Sequence, residues 1–340
     1  MKTILIGSGD AGFECAKNLS GEVLWISKND YMTKKWLMSA MVSNYNEKKK
    51  HKLIVDIPDY IRKNNLNVNF VVDEVKNVDT QKKEVSCLNG TYGYDKLVIA
   101  TGSSPNMPRV EINEKNREKI TTFDTYNDFT AAHEKLKTAR KVSIVGAGPI
   151  GFELSIWLSF KYKVSLVEYD CNILMQLLSH YPFYRYLARK MLEFLGVKLY
   201  LSTSACGIRE DHLFCKTLGK DEFFVDSDVV IFAVGVRQNV PPVDGEAFGK
   251  ERILFCDDYG AAFVHESGGV RKKLKDVYAI GDVTCYLTKE NYPASAIFAE
   301  KSAKVAAFNA IYGDRKKILF SPSVYYKTFD MMLRRLSYFI

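Results

Sequence analysis

The chain has 340 residues, 47% hydrophobic and 26% charged, a balance that suits a globular protein with room for two full cores. No apolar run approaches the ~20 residues that span a bilayer, and the first strand begins almost at Met1, leaving no room for a leader, so a cytoplasmic protein is expected. Seven cysteines without a C-x-x-C and five dispersed histidines exclude a disulfide framework, a local redox pair and a zinc cluster, while the net charge of +8 admits an acidic protein partner, an anionic membrane surface or, against the even spread of lysines, nucleic acid.

In chain order, residues 1–6 read as a buried parallel strand, followed by Gly7, Gly9 and Gly12 and a helix from Phe13 to Leu19. The three glycines permit, in turn, the tight turn, close approach of backbone to a phosphate, and helix–strand packing. A second strand, Val23 to Ile26, ends at Ser27, where an acid commonly bonds a ribose; Ser27 can do so more weakly, and Lys28, Asn29 and Asp30 follow. A glycine turn holding no ligand is the other reading of this motif alone. Residues 31–66 are less regular, with a helix expected over 54–64 and a strand over 68–72. Strand signals continue at 75–79 and up to Cys87, Leu88-Asn89-Gly90 reads as a hairpin turn, and residues 94–105 form a strand ending in small residues. A helix fits Tyr126 to Leu136.

The run Lys141 to Val145 then feeds a second fingerprint, Gly146-Ala147-Gly148-Pro149-Ile150-Gly151, and another helix. Backbone N–H groups and the positive end of the helix dipole at such a turn can hold a pyrophosphate. The next strand, Val164 to Val167, ends in Glu168, 22 residues after Gly146. A carboxylate there accepts bonds from the 2′-OH of NADH and repels the 2′-phosphate of NADPH; a surface glutamate at a strand end is the alternative. Helix signals recur from Tyr184 to Leu195, a strand pair runs from Val197 to Leu201 and on to Val225, and a strand leads from Asp228 to Val234 and Gly235. Val277 to Asp282 reads as a final strand, and Pro293 precedes a helix from Ala294 to Ile311.

Asp95-Lys96-Leu97-Val98-Ile99-Ala100-Thr101-Gly102, the two fingerprints, Gly235-Val236-Arg237-Gln238-Asn239 and Ile280-Gly281-Asp282, in that chain context, resemble the pyridine nucleotide-disulfide oxidoreductases, flavoproteins that bind FAD and NAD(P)H. Gln238 stands where the family commonly has proline. The resemblance implies an α/β fold with two Rossmann-like domains: an FAD domain split into 1–112 and 241–316, an NAD domain at 113–240, and a short remnant of an interface domain at 317–340. It places FAD beside Gly7, Gly9, Asp10, Ala11, Gly12, Ser27 and Lys28, with Val75 against the adenine and the backbone of Ala100, Thr101 and Gly102 alongside. Gly281 and Asp282 would meet the ribityl chain, and the helix start at Ala294 the flavin pyrimidine edge, although an ordinary core helix explains that spacing equally well. NAD falls to Gly146, Gly148, Pro149, Ile150, Gly151, Glu168, Val234 and Gly235.

Glu153 matches a family glutamate near nicotinamide and flavin, where it would position NADH or a lysine such as Lys34 or Lys35; the other reading is a helix-surface glutamate. Pro149 replaces an aromatic that covers the flavin in many relatives. Residues 31–41 lack the redox cysteine of the disulfide reductases, so electrons are expected to leave the flavin directly. The whole chain resembles most the NADH-rubredoxin reductase and NADH oxidase branches, which implies a small acidic redox protein (rubredoxin or ferredoxin) or dioxygen as acceptor. A membrane-bound quinone reductase and a nucleotide-binding redox sensor with little turnover stand as alternatives. In the tail, Phe329, Met332, Leu333, Leu336, Phe339 and Ile340 share helical spacing beside Arg334 and Arg335, which suits either packing, including a homodimer contact, or a membrane-surface helix.

Overall fold

The computed structural model describes the chain except for residues 109, 179–180, 210–211, 218, 220–221, 249–252, 266–270, 287–295 and 319–340. The described residues form two compact units, one of Met1–Thr33, Ile54–Ser104 and the residues from Arg237 onward, the other of Lys34–Leu53 and Pro105–Val236.

In the first unit the strand Lys2–Ile6 lies between Glu22–Ser27 and Lys96–Ile99, all parallel, with Ile6 opposite both Ile26 and Ile99. A strand covered on both faces is apolar nearly throughout, which is why Ile4, Leu5 and Ile6 are all buried. The sheet has eight strands, extended beyond Glu22–Ser27 by Asn69–Val72 and beyond Lys96–Ile99 by Arg271–Ala279, Ala261–His265, Ile253–Cys256 and Cys285–Tyr286. A separate antiparallel sheet of Val75–Asp79, Glu84–Cys87 and Thr91–Gly93 closes through the expected turn at Leu88-Asn89-Gly90. The helix expected from Ile54 starts later. Ile54–Asp56 pairs antiparallel with Tyr31–Thr33, and the Asp56 carboxylate accepts the Asp59 N–H at 2.7 Å, capping a helix over Ile57–Lys63 with Pro58 in its first turn. On one face of the large sheet the helix Ala296–Tyr312 buries Ala299, Ala303, Ala306, Ala307 and Ala310 in the same core as Phe13 and Trp25. Pro293 and Ala294 lie outside the described residues.

The second unit centres on a five-stranded parallel sheet in the order Ile120–Thr122, Val229–Phe232, Lys141–Val145, Lys163–Val167, Lys198–Tyr200. The strand pair expected from 197 to 225 resolves into that last short parallel strand and three antiparallel ones, Thr203–Arg209, His212–Thr217 and Glu222–Asp226, which with Glu111–Ile112 make a second sheet. Residues 34–53, which precede the first unit's later strands in sequence, pack here: the Tyr45 and Tyr126 hydroxyls bond at 2.7 Å, and the His133 ring meets the Val42 carbonyl. Among the described residues no helix is long and apolar enough to cross a membrane, and no group of His, Cys, Asp and Glu could hold a metal. All seven cysteines are free thiols.

Candidate functional site

The two fingerprints repeat one construction. Gly7 and Gly146 have φ of +104° and +101°, and a Cβ on either would lie 2.3 or 2.4 Å from a carbonyl oxygen, of Ala100 or Ala233. Gly12 and Gly151 are pressed against the preceding turn, where a Cβ would stand 2.2 and 1.9 Å from the Gly7 and Gly146 oxygens. Packing therefore explains the first and third glycines of each motif. It does not explain the middle ones: a Cβ on Gly9 or Gly148 would meet nothing within 4 Å, and both have extended backbone open to any residue. These two glycines also stand at the N-caps of the helices Asp10–Asn18 and Pro149–Ser159, and neither cap makes a side-chain hydrogen bond. Uncapped N–H groups beside a bare glycine backbone form a cradle for an anion. The residues thus fit a dinucleotide pyrophosphate at each motif.

The motifs differ at the strand end. Ile6 faces Ile26 and Val145 faces Val167, so Ser27 and Glu168, one residue on, are equivalent. One oxygen of Glu168 accepts the Ala147 N–H inside the fingerprint loop, and the other accepts the Asp170 N–H at 2.8 Å. In the first unit buried Ser27 instead meets the Ser8 hydroxyl at 2.7 Å, with the Asn29 N–H at 3.3 Å. Ser8 was not among the expected residues. As the unspecified second position of the motif it carries no sequence signal of its own.

Around the first motif, Lys28 turns to Glu74, 3.5 Å away. Val75 is half-buried at the start of its strand, which buried Asp73 anchors by accepting the N–H groups of Glu74, Leu88 and Asn89. Asp10 begins the helix and Ala11 is buried below it, with Gly281 so close that a Cβ there would lie 2.9 Å from the Ala11 methyl. Ala100 is buried; Thr101 donates to the Asn239 carbonyl at 2.5 Å, and the Gly102 carbonyl accepts the Asn239 N–H at 2.9 Å. Asn239, the end of the segment read as closing the second domain, is thus built into the first unit. The Asp282 carboxylate lies 3.5 Å from the Ser103 hydroxyl. In the second unit Pro149 opens its helix, Ile150 is exposed, Val234 packs on the sheet core, and Gly235, at φ +84°, accepts the Asn106 N–H at 2.9 Å.

Glu153 accepts a hydrogen bond from buried Ser39 at 2.8 Å. Of the two lysines offered to it by the sequence, Lys35 makes its ion pair with Asp124, at 2.6 Å. The equivalent position in the first motif is Glu14, two residues after Gly12, and its role is different. Glu14 pairs with Lys17 and, at 3.4 Å, with Lys304; burial pushes its carboxyl up, but these bonds hold it below the usual glutamate range. Cys15 beside it is fully buried, and burial pushes its thiol well above the ordinary value, so it offers no thiolate.

The family model for pyridine nucleotide-disulphide oxidoreductases matches residues 1–303. An NADH-rubredoxin oxidoreductase of Clostridium acetobutylicum is 24% identical over 322 residues, 91% of this chain and 74% of that protein. A nitric oxide reductase FlRd-NAD(+) reductase of Escherichia coli is 30% identical over 210 residues, 61% of this chain but only 51% of that protein, so the match spans about half of it. Among solved structures, a water-forming NADH oxidase of Lactobacillus brevis bound to NADH shares the fold, with a TM-score of 0.74 at 20% identity over 94% of this chain and 70% of the other. With its doubled fingerprint and a family match from residue 1 to residue 303, the chain belongs to the pyridine nucleotide-disulphide oxidoreductase family.

Proposed function

We propose that the protein is an FAD-dependent NADH oxidoreductase that passes electrons to a small redox protein, rubredoxin or ferredoxin, or to dioxygen, in the cytoplasm. The observation that carries the reading is the pair of middle glycines, Gly9 and Gly148, which no packing contact requires and which a passing pyrophosphate does. Gly7, Gly9 and Gly12 with the hydroxyls of Ser8 and Ser27 hold FAD; Gly146, Gly148, Gly151 and Glu168 hold NADH. When bound, FAD supplies the two-electron acceptor for the hydride of NADH and the route by which electrons leave. Val75, Ala100, Thr101, Gly102 and Asp282 orient it. Glu153, fixed by Ser39, positions the nicotinamide end. Glu168 selects the cofactor, because its carboxylate bonds a free 2′-OH and repels a phosphate there.

The relatives' names suit these acceptors, and the absence of a cysteine from residues 31–41 suits direct exit of electrons from flavin. The test is spectroscopic. Purified protein, reconstituted with FAD, is expected to be yellow and to bleach on anaerobic addition of NADH, and oxidised rubredoxin is expected to restore the colour. Protein that binds no FAD, or that stays yellow with NADH, overturns the assignment.

A further inference from the structure

The helix Pro182–Phe194 carries an apolar stripe on its outward side. Its inner face is secured by buried Ala188 and Leu192. Phe183, Tyr186, Leu187 and Phe194, spaced i, i+3, i+4 and i+11 and so on one face, are 65%, 55%, 44% and 89% exposed. At about 200 Å² per large side chain they leave roughly 500 Å² uncovered, the upper part of what a monomer tolerates.

A basic edge adjoins this stripe. The crossovers from Lys141–Val145 to Lys163–Val167 and on to Lys198–Tyr200 step the same way across the sheet, so right-handed connections put the helices Pro149–Ser159 and Pro182–Phe194 on one face. Both helices end where these neighbouring strands begin. There Phe160, 58% exposed, is followed by Lys161 and Lys163, and Phe194 by Lys198, all three lysines exposed. Lys161 reaches the Ser43 carbonyl at 3.4 Å and lies over the Tyr162 ring, Lys198 lies over the Tyr200 ring, and no carboxylate among the described residues pairs with any of the three. The stripe's one acid, Glu193, is taken by Arg189 and Lys190.

We propose that this face binds the surface of an anionic lipid bilayer, with the Pro182–Phe194 helix lying in the headgroup plane, its aromatic stripe inserted and Lys161, Lys163 and Lys198 on the lipid phosphates. An apolar stripe flanked by cations is the composition of an interfacial helix. A second copy suits it less well. The stripe falls short of the ~800 Å² per partner of a stable interface, and it offers no unpaired acid to receive another copy's lysines. Beyond the Tyr186 hydroxyl and Lys190, its side chains have nothing to specify a protein surface, whereas a fluid apolar layer needs no such match.

The experiment is co-sedimentation of the full-length protein with vesicles of phosphatidylcholine alone or with a third phosphatidylglycerol. Binding is expected to the anionic vesicles only and to weaken with salt. It should fall roughly tenfold or more both in F183S/F194S and in K161Q/K163Q/K198Q. These residues are exposed, so near-UV circular dichroism should be unchanged in both variants. No sedimentation with anionic vesicles at low salt, or binding that neither variant weakens, overturns the proposal. So does a concentration-dependent dimer, or a complex with an acidic protein, that F183S/F194S abolishes while the vesicles bind nothing.

Discussion

Gly148 and Gly151 are three residues apart, and alanine should harm them in opposite ways. Gly148 has φ −70° and open space where a Cβ would stand, so Gly148→Ala should keep the fold, with a melting temperature within a few degrees of the parent. A methyl there would enter the path proposed for a pyrophosphate, and the Kd for NADH should rise by roughly tenfold or more, the loss of about 1.4 kcal/mol or more. Gly151→Ala must push a methyl to 1.9 Å from the Gly146 oxygen and should lower the melting temperature instead. Calorimetry and NADH titration on both variants check this; a G148A that melts well below the parent yet binds NADH normally would contradict the role given to the middle glycine. At Glu168, Glu168→Gln removes the charge proposed to bond the ribose and to oppose a 2′-phosphate. NADH binding should weaken by roughly tenfold while NADPH binding improves, as expected for a bond to a charged group worth about 1.5–3 kcal/mol. The motif spacing marked from the sequence the turns that the glycines form and the strand end where Glu168 stands. It could not separate Glu153 from Glu14, which occupy the same place in the repeat, because their partners, Ser39 for one and Lys17 and Lys304 for the other, come from elsewhere in the chain.

Elements followed the same division. Strands with both faces buried, such as Lys2–Ile6 and Lys141–Val145, announce themselves as short apolar runs, and the helix Tyr126–Leu136 has the bounds expected of it. The segment 34–53 gave no such sign, since what fixes it is a set of contacts with Glu153, Tyr126 and His133 more than 80 residues away. Long-range charge pairing likewise fixes the strand Arg271–Ala279 at a point the sequence did not mark. Asp276, in the left-handed region at φ +62°, bonds Lys83 at 2.5 Å and Lys96 at 2.7 Å. Burial pushes its carboxyl up, but the two lysines outweigh this and hold it below the usual aspartate range. A carboxyl so lowered contributes stability that is complete above its unfolded value, near pH ~4, and is lost as pH falls through the folded-state value. Asp276→Asn should therefore cost about 1–3 kcal/mol at pH 7 in denaturant titrations, and the gap between variant and parent should narrow progressively once the pH falls below ~4. An equal gap on both sides of that pH would show that the side chain's shape, not its charge, matters there.

At the scale of the molecule the relevant quantity is the net charge of +8. Long-range attraction raises the encounter rate of oppositely charged proteins, and salt screens it over a Debye length of ~10 Å at 0.1 M. If electrons leave for an acidic redox protein, the second-order rate of NADH-dependent rubredoxin or ferredoxin reduction should fall by roughly tenfold between low salt and ~0.5 M salt. Dioxygen is uncharged, so reoxidation of the reduced protein by air provides an internal control that salt should leave nearly unchanged. Stopped-flow measurement of both rates on one preparation separates the acceptors: salt-sensitive rubredoxin reduction beside salt-indifferent oxidation by air supports a protein acceptor. Two salt-indifferent rates, with air the faster, would shift the function to oxidase chemistry. Charge distribution matters as well as total, because screening weights lysines near the docking patch above remote ones. Neutralising Lys161, Lys163 and Lys198, assigned above to lipid, should leave most of the salt dependence of rubredoxin reduction in place, and its loss in that variant would mean that the basic edge serves the redox partner instead.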